Sequence, residues 1–203
     1  MKKAKGGFKF GQMGGLIILA VLICVFFGFT TKGVLLSSQN ISNILVSASL
    51  NGIVGIGMTF VLITGGIDLS VTGNIIMTSL FIGGMMLSGI PWGICLLAAI
   101  VIGSIVGLVN GISVGRFGMV AFVVTMAMNN ITSGIGKLYT NGLTQYGFPE
   151  IHQSICGYLF GIIPGPVVMM GVVAVIAGIV LKCTNYGRQL YAVGGNPKAA
   201  WMS

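Results

Sequence analysis

Long apolar runs alternate with short polar or turn-forming stretches along the whole chain of 203 residues. A helix needs roughly 20 consecutive, mostly apolar residues to cross the hydrocarbon core of a bilayer. The pattern therefore predicts an all-α fold, a polytopic transmembrane helical bundle of about six spans. The predicted spans lie near positions 14–30, 43–65, 70–88, 92–115, 119–138 and 162–182.

Composition supports the membrane interpretation. Hydrophobic residues make up 55% of the chain and charged residues only 6%, and the mean hydropathy is +1.04. Soluble domains carry about a quarter charged residues, so this chain lacks the polar residues that would cover a water-exposed surface. The 34 glycines favour a tightly packed bundle, because small residues let helix backbones approach closely in lipid.

The net charge of +8 reads as a topology signal rather than a nucleic-acid surface, because the basic residues cluster at the N-terminus and between spans. With a cytoplasmic N-terminus, most of them fall inside, as the positive-inside rule expects, and both termini are cytoplasmic. A cleaved signal peptide over residues 1–30 is the alternative, but no A-x-A-like cleavage site follows this long run. The inside set is Lys2, Lys3, Lys5, Lys9, Arg116, Lys182, Arg188 and Lys198, and the outside set is Lys32 and Lys137.

We divide the chain into a single transmembrane domain over 1–203, with a basic cytoplasmic N-terminus over 1–13 and a cytoplasmic C-terminal segment over 183–203. The longest external loop, 139–161, is rich in aromatic residues and carries Glu150 and His152. This loop either anchors the protein at the headgroup layer or docks an external partner.

Small and polar residues recur every three or four positions inside three spans, and this spacing places them in rows along helices. Such rows serve either as packing seams between helices or as the lining of a polar pathway. Neutral amides and hydroxyls suit a neutral, hydroxyl-rich solute. The rows are Ser47, Asn51, Gly55 and Thr59, then Gly103, Gly107, Gly111 and Gly115, then Thr125, Asn129, Ser133 and Gly136.

From these rows and the amides beside them, we predict a set of pathway residues: Asn51, Thr59, Asn110, Thr125, Asn129 and Asn130. Packing remains the alternative for each of them.

Asp68 is one of only two acidic residues in the chain, and it lies just before the third span. Asp68 or Ser70 could cap that helix by accepting hydrogen bonds from its first free amides. A role in gating or coupling is the alternative.

The chemistry of an enzyme is missing from the sequence. Asp68 and Glu150 are predicted at opposite faces, and His152 has no evident nucleophile or metal cluster around it. The four cysteines show no ligand spacing, so we predict no metal and no cofactor. Gly136-Lys137 lacks the rest of the G-x-x-x-x-G-K-[ST] pattern. Any ATP hydrolysis would therefore belong to another polypeptide.

Several motifs carry a resemblance to a known family. The chain reads NGIVGIGMT at 51–59 and ITGGIDLSV at 63–71, then VGLVNG at 106–111 and FVVT at 122–125. It ends with YGR at 186–188 and YAVGGNPKAA at 191–200. In this order the motifs resemble the ribose, xylose and galactose-type ABC sugar permeases of the bacterial inner membrane.

The resemblance implies a permease subunit of an ATP-driven importer that moves a monosaccharide or related small polar solute across the inner membrane. It also implies ABC ATPase subunits, a second permease copy or homologue, and an external solute-binding protein as partners. The segment implied to engage the ATPase comprises Gly194, Gly195, Asn196, Pro197, Lys198, Ala199 and Ala200.

Members of this family are usually longer, so we expect this chain to be a C-terminally truncated permease. A pore or secondary carrier for a small polar solute, or a fragment that does not transport, are the alternatives.

Overall fold

The computed structural model describes residues 10–148, 157–159 and 163–202. Helices occur at all six positions where the apolar runs predict them. Two shorter helices follow near the C-terminus, α7 at Asn185–Gly195 and α8 at Pro197–Met202. The long helices are α1 Phe10–Thr30, α2 Ser38–Ile63, α3 Val71–Leu87, α4 Trp92–Gly115, α5 Ala121–Tyr139 and α6 Gly165–Cys183.

The chain forms two compact units, Met1–Ala48 and Ser49–Ser203. In the first unit, a single turn of 3-10 helix at Val34–Leu36 connects α1 to the start of α2. The side-chain amide of Asn40 donates a hydrogen bond of 2.8 Å to the carbonyl oxygen of Leu35. This bond fixes the 3-10 turn against the first turn of α2.

The core of the second unit is the packing of α3 against α5, with α4 as the next neighbour of α3. Two glycines make the close approach possible. A Cβ atom at Gly136 would lie 2.8 Å from the Cα atom of Met77, and one at Gly73 would overlap the carbonyl oxygen of Asn129. Small residues therefore bring the two backbones into contact, as expected for helices that associate without a hydrophobic driving force.

The junction between α6 and α7 is also tight. Thr184 lies at the N-cap of α7, where its hydroxyl accepts a hydrogen bond of 3.2 Å from the Gly187 amide. The same hydroxyl donates a bond of 2.6 Å to the Val180 carbonyl oxygen. Side-chain capping of this kind satisfies one of the free amides at a helix N-terminus. The start of α7 is thus fixed to the last turn of α6.

Among the residues that the structure describes, three helices, α2, α4 and α6, are long and apolar enough to cross a membrane, while Gly14–Thr30 and α3 form shorter apolar helices. Large apolar side chains such as Leu97 and Ile105 of α4 remain exposed. Contiguous exposed apolar surface marks contact with lipid or with protein. The prediction of a polytopic, all-α membrane protein is confirmed. The exact number of spans and their orientation stay predictions.

Outside the helices, the described residues contain one small antiparallel sheet that pairs Tyr158–Leu159 with Ile163–Pro164. Several predicted features lie outside the described residues: the basic residues of positions 1–9, and Glu150 and His152 in the external loop. The loop does begin where predicted, because α5 ends at Tyr139.

Candidate functional site

A chain of three polar side chains connects the segment before α3 to α4. The carboxylate oxygen Oδ1 of Asp68 accepts hydrogen bonds from the Ser70 amide at 2.8 Å and from the Ser70 hydroxyl at 2.6 Å. The Ser70 hydroxyl oxygen in turn accepts a bond of 2.8 Å from Nδ2 of Asn110. We call these three residues the Asp68 network.

The order of donors in this network follows from chemistry. The Ser70 hydroxyl donates its only proton to Oδ1 of Asp68. The Ser70 oxygen then accepts, and Asn110 must present its NH2 group to it. Both Ser70 and Asn110 are buried. Among the described residues, Oδ1 of Asn110 has no hydrogen-bond partner.

This arrangement corrects one detail of the capping prediction. Ser70 does occupy the N-cap position of α3, but its side chain makes no capping hydrogen bond. Its hydroxyl is already engaged by Asp68 and Asn110. Asp68 accepts the amide of Ser70 itself, one residue before the helix. Neither side chain therefore caps the first turn of α3.

The cap of α3 comes from another helix. Oδ1 of Asn129 in α5 accepts a hydrogen bond of 2.7 Å from the backbone amide of Gly73, in the first turn of α3. Thr132, one turn further along α5, is buried at the same contact. Asn129 therefore lies in the packing seam between the two helices, which was one of the two interpretations of its row.

The other predicted pathway residues are distributed unevenly. Thr125 is buried, and its hydroxyl donates to the Ala121 carbonyl oxygen of its own helix at 2.8 Å. Asn130 is exposed and donates to the Met126 carbonyl oxygen at 3.1 Å. Asn51 and Thr59 are exposed on α2. The structure therefore does not bring the six residues together into one cavity.

Most of the glycine row of α4 faces away from the packed core, although a Cβ atom at Gly103 would lie 3.8 Å from Nδ2 of Asn74 in α3. A Cβ atom at Gly107, Gly111 or Gly115 would meet nothing within 4 Å among the described residues. The buried residues of α4 are instead Cys95, Val106 and Asn110, on an adjacent strip of the helix. Within the described chain, these three residues form the buried strip of α4, and Asn110 on this strip bonds to Ser70.

Sequence reasoning missed a group of polar residues on α3. Asn74, Thr78 and Ser79 line a groove of about 430 Å³ whose other wall includes Ala99 and Gly103 of α4. Oδ1 of Asn74 accepts a hydrogen bond of 3.2 Å from the Thr78 hydroxyl. Their spacing of four positions was a usable signal, since Asn74 and Thr78 repeat like the rows recognised in other spans.

The predicted ATPase segment begins at the end of α7 and continues into α8. A Cβ atom at Gly194 would overlap the carbonyl oxygen of Ile63, the last residue of α2. A Cβ atom at the next residue, Gly195, would meet nothing within 4 Å. Oδ1 of Asn196 accepts a bond of 3.2 Å from the Ala199 amide at the start of α8. The side chain of Lys198 lies outside the described residues.

The described residues contain no group of three His, Cys, Asp or Glu side chains that could hold a metal ion. The site instead consists of a polar network near one end of α2, α3 and α4. Rows of amides and hydroxyls also run along apolar helices. Such groups hydrogen-bond a polar solute or fix helices to each other.

An apolar helical bundle with polar rows and a buried hydrogen-bond network is that of a polytopic membrane protein. Residues 40–203 match the family described as "Branched-chain amino acid transport system / permease component", and the chain belongs to this family. It is 35% identical over 201 residues, 96% of this chain, to the ribose import permease protein of Bacillus subtilis (strain 168). It is 30% identical over 194 residues, 95% of this chain, to the D-allose transport system permease protein of Escherichia coli (strain K12).

A third relative is the ribose import permease protein of Haemophilus influenzae, 32% identical over 212 residues and matching 100% of this chain. The chain spans 60%, 59% and 65% of the Bacillus, Escherichia and Haemophilus relatives, respectively. No solved structure matches the chain. The expected resemblance to sugar permeases is confirmed at the level of family.

Proposed function

We propose that this chain acts within the permease subunit of an ATP-driven importer that moves a monosaccharide across the bacterial inner membrane. The similarity over 96% of its length to a protein named as a ribose import permease carries the proposal. The presence of an allose permease among the relatives supports monosaccharides as the substrate class.

The surface of α2 supports a polar pathway. Asn51, Gly55 and Thr59 repeat every four residues and are all exposed, on a helix whose hydropathy suits a membrane span. Exposed amides are costly against acyl chains, so polar residues inside spans usually face protein or a water-filled cavity. We assign Asn51 and Thr59 to the solute pathway, where they hydrogen-bond sugar hydroxyls.

The energy source in this proposal is a separate ABC ATPase that binds the segment Gly194 to Ala200. A second permease copy or homologue and an external solute-binding protein complete the importer. The chain itself catalyses no reaction. Its role is to change the accessibility of the pathway when the ATPase hydrolyses ATP.

The experiment reconstitutes the chain in lipid vesicles with the ATPase subunit and the solute-binding protein, and measures uptake of radiolabelled ribose and allose. We expect uptake that requires ATP and is abolished by a hydrolysis-deficient ATPase. Uptake that proceeds equally without ATP would replace the importer with a pore or carrier. No uptake together with no ATPase binding would support a fragment that does not transport.

The ATPase-binding segment is tested in the same preparation. Scrambling residues 194–200 should abolish co-purification of the ATPase, while scrambling residues 32–37, in the predicted external turn, should leave it unchanged. Retention of the ATPase by the first variant would remove the assignment of this segment.

A further inference from the structure

Gly194 makes a backbone contact that no other residue type could make. A Cβ atom there would overlap the Ile63 carbonyl oxygen, and it would lie 3.0 Å from the carbonyl carbon and 3.6 Å from Cα of Thr64. These are main-chain atoms, so they cannot move aside as the end of a flexible side chain can. The C-terminal end of α7 therefore lies directly against the last residue of α2.

The contact point is itself held firmly. After Ile63 the chain turns at Gly65, whose φ of 76° is a conformation that glycine adopts without strain. The Gly66 amide donates back to the Val61 carbonyl oxygen at 3.1 Å, which closes the end of α2. The Thr64 hydroxyl donates to the same Val61 oxygen at 2.7 Å. The end of α2 next to the Gly194 contact is therefore closed by two hydrogen bonds to one carbonyl oxygen.

The segment that follows this turn contains Asp68 and Ser70. Ser70 is bonded to Asn110 of α4, and the α3 helix that begins at Val71 is bonded to α5 through Asn129. A continuous set of contacts therefore leads from Gly194 through the end of α2 to α3, α4 and α5. Packed side chains, hydrogen bonds and rigid helices of this kind can carry coupling between distant sites.

We propose that Gly194 is the positioning residue through which movement of the ATPase-binding segment reaches the Asp68 network and the membrane helices. The inference rests on the proposed function, because it needs an ATPase that moves this segment. It adds to that function a defined contact, Gly194 against Ile63, and a defined receiver, the Asp68 network.

The test compares Gly194→Ala with Gly178→Ala in the complete transporter, reconstituted with its ATPase and its solute-binding protein. Gly178 lies inside α6, outside the ATPase-binding segment, and a Cβ atom there would meet nothing within 4 Å among the described residues. Alanine raises helix propensity at both positions in the same direction. Only the first substitution places a Cβ atom against α2. The measured quantities are retention of the ATPase, the rate of ATP hydrolysis, and ribose taken up per ATP hydrolysed.

We expect Gly194→Ala to retain the ATPase and to hydrolyse ATP, but to lower ribose uptake per ATP by about tenfold, within the range of typical allosteric couplings. Gly178→Ala should behave like the wild type. Equal uptake per ATP in both variants would overturn the inference. So would loss of the ATPase by Gly194→Ala alone, because the contact would then serve assembly rather than transmission.

A double-mutant cycle with Ser70→Ala tests whether the Asp68 network receives the movement. If both residues act along one path, the double variant Gly194→Ala/Ser70→Ala should lose no more uptake per ATP than the worse single variant. Combined with Gly178→Ala, Ser70→Ala should keep its own full effect. If the losses of uptake per ATP multiply in the Gly194→Ala/Ser70→Ala double variant, the proposed path is wrong. A wild-type chain that neither binds the ATPase nor imports ribose would instead overturn the proposed function.

Discussion

Oδ1 of Asn129 in α5 accepts a hydrogen bond of 2.7 Å from the backbone amide of Gly73 in α3. The side chain therefore supplies from a neighbouring helix the cap that Ser70, at the N-cap position of α3, does not supply. The bond joins the two helices that form the most extensive packing of the second unit. We therefore expect that removing this hydrogen bond affects the stability of the protein before it affects transport.

We expect Asn129→Ala to destabilise the protein by about 1 kcal/mol, the usual cost of removing a helix cap. For a chain of this size, such a loss lowers the unfolding midpoint by about 2–4 °C. Asn129→Asp, which keeps an acceptor oxygen, should lose less. Thermal unfolding in detergent measures the effect.

The matched control for this prediction is Asn130→Ala, because Asn130 is the adjacent amide but is exposed and bonds only within its own helix. It should leave the midpoint unchanged. An equal shift in both variants would show that the cap contributes nothing specific.

A side-chain carbon added at Gly136 should disrupt the packing of α3 against α5. A Cβ atom there would lie 2.8 Å from the Met77 Cα atom, and overpacking of this kind costs about 1–3 kcal/mol. We therefore expect Gly136→Ala to lower the yield of folded protein, measured by size-exclusion chromatography. Gly134→Ala in the same helix, where a Cβ atom meets nothing within 4 Å, should keep the wild-type yield. A normal yield from Gly136→Ala would contradict the close packing.

Ser70→Ala removes the acceptor of a buried amide. The Nδ2 group of Asn110 would lose its partner, and an unsatisfied buried donor costs about 1–3 kcal/mol. We expect the double variant Ser70→Ala/Asn110→Leu to be more stable than Ser70→Ala alone, because it removes the stranded amide as well. Unfolding midpoints of the wild type, both single variants and the double variant test this. A double variant less stable than either single one would rule out this account.

Asn51→Leu tests the assignment of the α2 row to the solute pathway. Because Asn51 is exposed, the substitution should leave the yield of folded protein unchanged while it reduces ribose uptake. Asn51→Ser, which still offers a hydroxyl, should retain more uptake than Asn51→Leu. Unchanged uptake in the leucine variant would remove Asn51 from the pathway.

Local patterns along the chain were sufficient to locate the helices. Each apolar run became a helix, with ends within a few residues of the prediction; the fourth run, predicted at 92–115, is observed at Trp92–Gly115. This succeeds because helix formation in a membrane protein depends on contiguous apolar residues and on backbone hydrogen bonds within the same segment. The amino-acid sequence also indicated the family, since its motifs can be recognised without knowledge of how the helices pack.

The partners of individual side chains were decided only by the tertiary structure. The four-residue spacing placed Asn129 and Thr125 in one row, but it could not say that Gly73 of α3 would lie against that row. In the same way, Gly107, Gly111 and Gly115 of α4 satisfy the small-residue pattern and yet stay open among the described residues, while Asn110 beside them is buried. A helical period defines which residues share a face, and the rotation of each helix in the bundle determines what that face meets.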